Sequence, residues 1–419
     1  SQERTRYQQN LGLDFKLVSI LDRSYEQKDT SWLEGNVPFT NSLKEFLAIP
    51  ADVRVELIGG TNPADQIIRT GLCSQKSVVT ANKLLMARLG EEYLDLAKQN
   101  NAYLGFEASV AGGIPVVRVL RRSLLSDRIN RLRGILNGTC NFILSEMSHH
   151  GRDYQDALSQ AQSLGYAEID PSLDVSGGDT ADKLAILSTI AFQQGVRPNQ
   201  IPTRGITGVR PIDFIYSRRL GATIKLLGVA VQSNNFLSLR VSPFLVKNSL
   251  PLANISSVLN AVEINGNTLG SVVLSGEGAG ANPTAVSVVS DILNAAFWRK
   301  NTTKSAATPD QEAYLHDKKG SACQGSNLSI SEQHELHPFY LRFVVKDEPG
   351  IISTLSSVLA QMKINIDSIL QENWSDSLNL PFIITVEATP FARIQEAINQ
   401  MAKLDFNRIP PYALPILAE

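Results

Sequence analysis

The chain has 419 residues, which is too long for one hydrophobic core, so its length predicts two or three domains. Its composition, 43% hydrophobic and 19% charged, is typical of a globular protein and excludes the disordered and membrane-spanning classes. A net charge of −2 gives no electrostatic reason to expect nucleic acid or an anionic membrane as a partner, and it favours small-molecule ligands.

Cysteine usage and the N-terminus indicate the compartment. The three cysteines, Cys73, Cys140 and Cys323, are scattered and lack C-x-x-C spacing, which predicts neither a disulfide framework nor a zinc site. No run of 18 apolar residues occurs, and the first ten residues are too polar for a signal peptide. We therefore expect a cytoplasmic protein in a reducing environment.

Strands and helices alternate over residues 1–107. The polar residues 1–10 are typical of a helix end, and the apolar run 15–24 is typical of a buried parallel strand. The following pattern predicts, in order, helix 41–48, strand 53–60, helix 63–73, strand 77–81 and helix 83–99. This alternation indicates an α/β fold, a Rossmann-like doubly wound parallel sheet with helices on both faces.

The pattern changes over residues 108–298. Apolar helical stretches such as 181–195 alternate with β-patterned stretches, which predicts a mixed α+β substrate and dimerisation domain. Its last segment, 283–298, has helical periodicity and is expected to return and pack on the first domain. Residues 299–337 are rich in Ser, Thr, Asn, Lys and Gly, and are therefore expected to form a linker.

The last segment, residues 338–419, shows the order βαββαβ of a ferredoxin-like domain. An Asp-Glu-Pro-Gly turn at 347–350 leads from the first strand into the first helix. A domain of this size with an exposed sheet edge commonly pairs with a copy of itself, so a homodimer or homotetramer is expected.

Residues 165–187 carry the densest chemistry. Five carboxylates fall within fifteen positions, and Lys183 directly precedes an apolar helix; the carboxylates are Glu168, Asp170, Asp174, Asp179 and Asp182. A solvated acidic loop with an ordinary i,i+4 pair between Asp179 and Lys183 would explain part of this pattern. The alternative is a substrate cradle, in which carboxylates hold an ammonium group and a lysine polarises a carbonyl.

Four further segments suit ligand binding, although each also has a structural explanation. Lys83 opens a helix directly after a buried strand, where open α/β sheets bind ligands. Paired glycines in 107–117 permit a close backbone approach, and polar residues from Asn137 onward interrupt an apolar stretch at 134–144. A glycine loop at 275–285 leads into a helix N-terminus.

Taken in order, these segments resemble the signature segments of the homoserine dehydrogenases. They are VELIGGTNPA, VVTANK, EASVAGGIPVV, GILNGTCNFIL, LGYAEIDPSLDVSGGDTADKLAIL and GEGAGANPTA, and the resemblance runs from about residue 17 to residue 298. The last 80 residues resemble the ACT domain that many bacterial members carry. The resemblance implies NAD(P)-dependent interconversion of L-aspartate 4-semialdehyde and L-homoserine, in the synthesis of threonine, methionine and isoleucine.

The resemblance also implies residue roles. Lys183 matches the lysine that protonates the nascent alkoxide, and Lys83 matches the lysine of the ANK motif between nicotinamide and substrate. Substrate contacts are expected from Glu168, Asp179, Asp174, Asn137, Gly138 and Thr139. Cofactor contacts are expected from Lys83, Gly60, Thr61, Asp22, Arg23, Gly278 and Gly280, and sodium ligands from Glu107, Val110, Gly112 and Ile114. The family often has His where this chain has Asp182.

Three questions stay open at the level of sequence. No G-x-G-x-x-G loop precedes residue 15, so the chain is either a fragment or processed form of a complete enzyme, which we favour, or has lost cofactor binding. Asp22 followed by Arg23 does not decide between NAD and NADP. The ACT-like segment is expected to bind threonine as a feedback effector, with structural padding as the alternative.

Two other function classes compete with the dehydrogenase. One is a non-catalytic amino-acid sensor on a degenerate scaffold, which cofactor binding would exclude. The other is a different amino-acid dehydrogenase of related fold, which activity on other semialdehydes would support.

Overall fold

The computed structural model describes residues 4–31, 33, 35–302, 329–330 and 335–417. The chain divides into two compact units. The first contains Ser1–Ser109 and Thr284–Gly320, and the second contains Val110–Pro283 and Ser321–Glu419. Most of the linker predicted at 299–337 lies outside the described residues.

The first unit is built from short parallel strands and intervening helices, as the alternating pattern predicts. Its helices are α1 (Arg4–Leu11), α2 (Leu43–Ala48), α3 (Ala64–Cys73) and α4 (Lys83–Gln99). Its strands are β1 (Ile20–Leu21), β2 (Phe39–Thr40), β3 (Val53–Glu56), β4 (Ser77–Thr80) and β5 (Leu104–Gly105). Strands β3, β4 and β5 form one parallel sheet in that order, and β1 pairs in parallel with β2. These observations confirm the Rossmann-type α/β class.

The strand expected over residues 15–24 is wrong in length, because only Ile20–Leu21 is extended and paired. A buried parallel strand needs hydrogen-bond partners along its length, and in the described residues this segment pairs at two positions only, with Phe39–Thr40. The apolar run is correspondingly half-exposed, with Leu17 at 52%.

The second unit begins with mixed helices and long antiparallel strands. Its helices are α5 (Val116–Arg118), α6 (Gly138–His150), α7 (Tyr154–Ser163), α8 (Ser172–Val175), α9 (Gly178–Ala191), α10 (Pro211–Arg219) and the start of α11 (Ala281–Thr302). Its strands are β6 (Ile129–Ile135), β7 (Ala222–Ser233), β8 (Phe236–Lys247), β9 (Leu259–Gly266) and β10 (Gly270–Glu277). Helices α6 and α9 both contact strand β7.

Helix α11 crosses from the second unit into the first, which contains its residues from Thr284 onward. In the first unit, Ala295 and Trp298 form a buried cluster with Tyr103, and Val53 packs against it. Asp291 accepts hydrogen bonds from the Tyr103 hydroxyl at 3.2 Å and from the Glu107 amide at 2.9 Å. The end of the helix is therefore a structural part of the first unit.

The C-terminal segment has the expected βαββαβ order. Its elements after the short strand β11 (Ser329–Ile330) are β12 (Leu336–Val345), α12 (Ile351–Gln361), β13 (Ile366–Leu370), β14 (Leu380–Pro390), α13 (Phe391–Met401) and β15 (Asn407–Leu417). The strand order β15-β12-β14-β13, with antiparallel neighbours, is that of a ferredoxin-like sheet. Helices α12 and α13 cover one core that includes Leu355, Leu359 and Ile398.

The ferredoxin-like sheet continues into the sheet of the second unit. Ile416 and Leu417 of β15 pair in parallel with Leu245 and Val246 of β8. Among the described residues this gives a ten-stranded sheet, with order β10-β9-β6-β7-β8-β15-β12-β14-β13 and β11 beside β8. One edge of the ferredoxin-like domain is therefore occupied within the chain itself.

A buried ion pair joins the ferredoxin-like domain to helix α10. The Asp213 side chain is fully buried and accepts from Arg342 at 2.5 Å and from the Tyr340 hydroxyl at 2.8 Å. Arg342 also donates to the Gly208 carbonyl, and its guanidinium lies 4.9 Å from the centroid of the Tyr412 ring. Because a buried charge is tolerated only when it is paired and hydrogen-bonded, this network fixes the domain at one position on α10.

Within the described part of the chain, no helix is both long and apolar enough to cross a membrane. Cys73 is exposed and Cys140 is buried, and both are free thiols; Cys323 lies outside the described residues.

Candidate active site

Four polar side chains predicted to act in catalysis or substrate binding meet in the second unit. Lys183 Nζ lies 2.7 Å from Asp179 Oδ2 and 2.7 Å from the Leu136 carbonyl oxygen. Asn137 Nδ2 donates to Asp174 Oδ1 at 2.7 Å and to Asp179 Oδ2 at 2.9 Å. The structure thus brings together Asn137, Asp174, Asp179 and Lys183.

Local sequence explains why these side chains converge. Asn137 is the N-cap of α6, and its Oδ1 accepts from the Cys140 amide at 2.8 Å. Gly177, at φ +89°, turns the chain from α8 into α9, a conformation that favours glycine. Asp179 lies in the first turn of α9, where the helix dipole favours an anion, and Lys183 follows one turn later on the same face.

The amide of Asn137 is committed to other protein groups. Both Nδ2 hydrogens are donated to carboxylates, and Oδ1 caps the helix. This leaves its side chain without a spare N–H for a ligand. The predicted substrate contact of Asn137 therefore stays a prediction, and the geometry favours a role in holding Asp174 and Asp179 at a fixed separation.

The Lys183 ammonium group is nearly enclosed, with a side-chain exposure of 12%, against 2% for Asp179. An ammonium has three N–H donors, and two acceptors are in contact with this one in the described residues. Near these charges, burial is the main cause that raises the pKa of the Cys140 thiol well above its usual range. Burial therefore favours the thiol of Cys140 over the nucleophilic thiolate.

The remaining predicted substrate residues lie at different depths. Thr139 donates its hydroxyl to the Tyr166 carbonyl at 2.6 Å, and Gly138 is packed so closely that a Cβ there would lie 2.7 Å from the Val258 carbonyl oxygen. Glu168 is exposed on the loop before α8, and in the described residues its carboxylate has no hydrogen-bond partner. The structure does not bring Glu168 to the Asp179 cluster.

The glycine loop before α11 packs against the turn that follows Ser109. A Cβ on Gly112, at φ +42°, would lie 2.6 Å from the Gly278 carbonyl oxygen, and the Gly113 amide donates to the Glu277 carbonyl at 3.1 Å. A Cβ on Gly278 would lie 2.0 Å from the Asn260 side-chain nitrogen. Gly280 has φ +117°, so glycine is required there as well.

In the first unit, a buried carboxylate organises the loop that carries Gly60 and Thr61. Glu56 is 1% exposed; it accepts from the Thr80 hydroxyl at 2.6 Å and from the amides of Ile58 and Gly59. Asn82 donates to the Gly60 carbonyl at 2.8 Å and caps α4, which begins at Lys83. The expected position of Lys83 at a helix start after a buried strand is therefore observed.

Asp22 and Arg23 follow strand β1 in the first unit. Asp22 accepts from the amide of Ser24 at 2.9 Å and from Lys28, and the Lys28 contact is the main cause that lowers its pKa. Arg23 is exposed. The Asp22 carboxylate is thus charged and oriented, whereas the Arg23 position is open to solvent.

The predicted sodium ligands are divided between the two units. Glu107 lies in a short 3-10 turn of the first unit and is 2% exposed, while Val110, Gly112 and Ile114 form a tight turn in the second. No cluster of three or more His, Cys, Asp or Glu side chains suited to a metal occurs in the described residues. A sodium site built from backbone carbonyls and one carboxylate is a different kind of site, and it stays a prediction.

Sequence reasoning did not single out three buried polar residues beside these loops. They are Glu56, Asn82 and Lys225. Glu56 and Lys225 each interrupt an apolar strand with a charge, which is a signal that sequence alone offers. Asn141 was noted as a polar residue within the apolar stretch 134–144, but its partners, like the partner of the Asn82 side chain, come from distant segments that give no such signal.

Family models match along most of the chain. The model described as "Homoserine dehydrogenase, NAD binding domain" matches residues 2–107, and the model described as "Homoserine dehydrogenase" matches residues 115–293. The ACT domain model matches residues 339–406.

Relatives and solved structures agree with these matches. The homoserine dehydrogenase of Pseudomonas aeruginosa is 39% identical over 380 residues, 88% of this chain and 84% of the relative. That of Neisseria gonorrhoeae is 38% identical over 396 residues, 94% of this chain and 89% of the relative. A crystal structure of a homoserine dehydrogenase from Thiobacillus denitrificans superposes with a TM-score of 0.85 at 33% identity and covers 99% of this chain and 93% of that one. These matches confirm the resemblance seen in the sequence, and the chain belongs to the homoserine dehydrogenase family of nicotinamide-dependent oxidoreductases.

Proposed function

We propose that this chain interconverts L-aspartate 4-semialdehyde and L-homoserine with Lys183 as the group that protonates the substrate oxygen. One observation carries this assignment. Asp179 and the Leu136 carbonyl engage two of the three N–H donors of Lys183 in the described residues, so one donor is left for a ligand. The same contacts hold the ammonium at one place in the site.

The reaction requires such a donor. Conversion of the aldehyde to an alcohol builds negative charge on its oxygen, and a fixed ammonium both stabilises this charge and transfers a proton to it. The buried Asp179 carboxylate holds the Lys183 ammonium in place through a contact of 2.7 Å. In the reverse direction, the neutral amine accepts the hydroxyl proton of homoserine.

The carboxylates suit the amino-acid end of the substrate. Asp174 is half-buried and is oriented by Asn137, so it can accept a hydrogen bond from the substrate ammonium. Glu168 lies on an exposed loop and would have to move to add a second carboxylate, as loops of active sites commonly do. Gly138 and Thr139 form the first turn of α6, which favours the substrate carboxylate.

A nicotinamide cofactor supplies or accepts the hydride when it is bound. The residues of the first unit fit its nicotinamide end, because Gly59 and Gly60 both have positive φ and present no Cβ, while Lys83 opens the adjacent helix. Gly278 and Gly280 are assigned to the same ligand. Asp22 and Arg23 are assigned to the ribose, and the choice between NAD and NADP is left to measurement.

Two further ligands belong to this proposal. Glu107, Val110, Gly112 and Ile114 would bind sodium, since a buried carboxylate and a tight turn of carbonyls suit a monovalent cation. The ACT domain would bind threonine as a feedback effector and pair with a second copy through its outer strand β13. Millimolar threonine should then change activity or thermal stability.

The test is NAD(P)H oxidation with L-aspartate 4-semialdehyde, run with NADH and NADPH separately. This chain is compared with a form that carries a strand and glycine loop ahead of Ser1, and with Lys183→Ala in each background. We expect turnover that Lys183→Ala lowers at least a hundredfold. If neither form turns over or binds a nicotinamide cofactor, the proposal fails and the amino-acid sensor replaces it.

A further inference from the structure

Lys225 is a buried lysine that the proposed mechanism does not use. It lies on β7 between apolar neighbours, and its exposure is 4%. Its Nζ donates to Asn141 Oδ1 at 3.1 Å and to the Ile255 carbonyl at 2.5 Å. In the described residues these neutral oxygens are its only partners, so the free-energy cost of burying its charge is not offset by a carboxylate.

The side chain of Asn141, which accepts from Lys225, also contacts the loop 255–260. Asn141 Nδ2 donates to the carbonyls of Ile255 at 3.2 Å and Leu259 at 3.1 Å. The amide of Ser257 donates to the Ser145 hydroxyl at 3.1 Å. Lys225, Asn141 and Ser145 therefore fix the loop 255–260 against helix α6.

The loop 255–260 packs against two segments that the proposed function assigns to ligand binding. A Cβ on Gly138, in the first turn of α6, would lie 2.7 Å from the Val258 carbonyl oxygen, and a Cβ on Gly278 would lie 2.0 Å from the Asn260 amide nitrogen. Because these contacts are close, a shift of the loop would also move one or both of these segments. The backbone N–H of Asn141 also donates to the backbone carbonyl of Asn137, the residue whose side chain holds Asp174 and Asp179.

We propose that Lys225 is a positioning residue for the reaction, which acts through Asn141 and the loop 255–260 to set the first turn of α6 and the glycine loop at Gly278. A methionine of similar length would fill the same space without leaving a buried charge, so packing alone does not require lysine here. The inference rests on the proposed function for its catalytic consequence, but the contact itself can be tested without turnover.

The first experiment compares Lys225→Met with Lys247→Met as a matched control, using hydrogen exchange of the full chain. Lys247 lies on the neighbouring strand β8 and is exposed. We expect the Ser257 and Leu259 amides to exchange at least about tenfold faster in Lys225→Met and to be unchanged in Lys247→Met. Exchange within twofold of the parent at both amides would overturn the proposal.

The second experiment measures kcat and KM for the semialdehyde. A small displacement of catalytic groups costs on the order of 10- to 100-fold in rate, so Lys225→Met should lower kcat at least tenfold and change KM less than threefold. A merely structural role would lower kcat only in proportion to the folded fraction, and that result would also overturn the proposal. If neither the parent nor the form with the added strand and glycine loop turns over or binds a nicotinamide cofactor, the proposed function fails, while the exchange result still decides the role of Lys225.

Discussion

Asn137→Asp tests the assignment of Asn137 as the residue that holds the two carboxylates together. The change replaces one NH₂ by an oxygen and keeps a good N-cap for α6. The new carboxylate would face Asp174 and Asp179 at the present donor distances of 2.7 and 2.9 Å. At an effective dielectric constant of about 20, each such contact costs about 6 kcal/mol if all three groups are charged.

Protonation of one carboxyl group costs less than this repulsion. A pH of 7 is about three units above the ordinary pKa of aspartate, so keeping an aspartate protonated at this pH costs about 4 kcal/mol. We therefore expect the folded variant to retain one proton that the unfolded chain releases. Because the folded state then binds more protons, stability must fall as pH rises, by about 1.4 kcal/mol per unit.

The assay is denaturant unfolding of parent, Asn137→Asp and Asn137→Ser at pH 5, 6 and 7. The destabilisation of Asn137→Asp should shrink by about 3 kcal/mol from pH 7 to pH 5. Asn137→Ser keeps a cap and adds no charge, so its destabilisation should not vary with pH. If Asn137→Asp shows the same pH dependence as Asn137→Ser, the contact geometry around Asn137 is wrong.

Three further predictions concern the rest of the second unit. Burial lowers the pKa of Lys225 to about 8, so above this pH the unfolded chain binds more protons than the folded protein. The free energy of unfolding should therefore rise between pH 8 and 9.5, by up to about 1.4 kcal/mol per pH unit. Lys225→Met should remove that rise in unfolding experiments. Arg342→Met leaves the fully buried Asp213 carboxylate without its cation and should cost about 3–5 kcal/mol of unfolding free energy, whereas a loss below about 1 kcal/mol would contradict the buried pair. Gly208→Ala would place a Cβ 2.5 Å from the Tyr412 ring. If the proposed threonine regulation holds, this variant should need a higher threonine concentration than the parent for half of the effect on activity, and an unchanged concentration would contradict a role for this contact.

Sequence predicts the parts of this protein that depend on local pattern. The strand and helix alternation of the first unit and the βαββαβ order at the C-terminus follow from periodicity and turn residues. The pairing of Asp179 with Lys183 also follows, because four-residue spacing on a helix places both on one face. Two strands are shorter than predicted: the run 15–24 pairs only at Ile20–Leu21, and the strand expected over 53–60 ends at Glu56.

Contacts between distant segments could not be predicted in the same way. Asn137 reaches Asp174 and Asp179 across 37 and 42 residues of chain, and no spacing rule connects them. The parallel pairing of β15 with β8 could not be predicted from sequence either, because the sequence of each strand indicates only that the strand is apolar. Lys225 was detectable as a charge within an apolar strand, but its partners Asn141 and Ile255 were not.

The loop 203–210 contacts both the ACT domain and the segment that carries Asp174. At one end the Ile206 amide donates to the Val175 carbonyl at 2.9 Å, directly after Asp174. At the other end, Gly208 is packed against Tyr412, and its carbonyl accepts from Arg342. A shift of the ACT domain on α10 would therefore either move the loop 203–210, which is hydrogen-bonded to Val175, or break the side-chain contacts that Tyr412 and Arg342 make with Gly208. An effector that binds one position of the ACT domain more tightly than another would therefore be coupled to the segment that carries Asp174 through this loop.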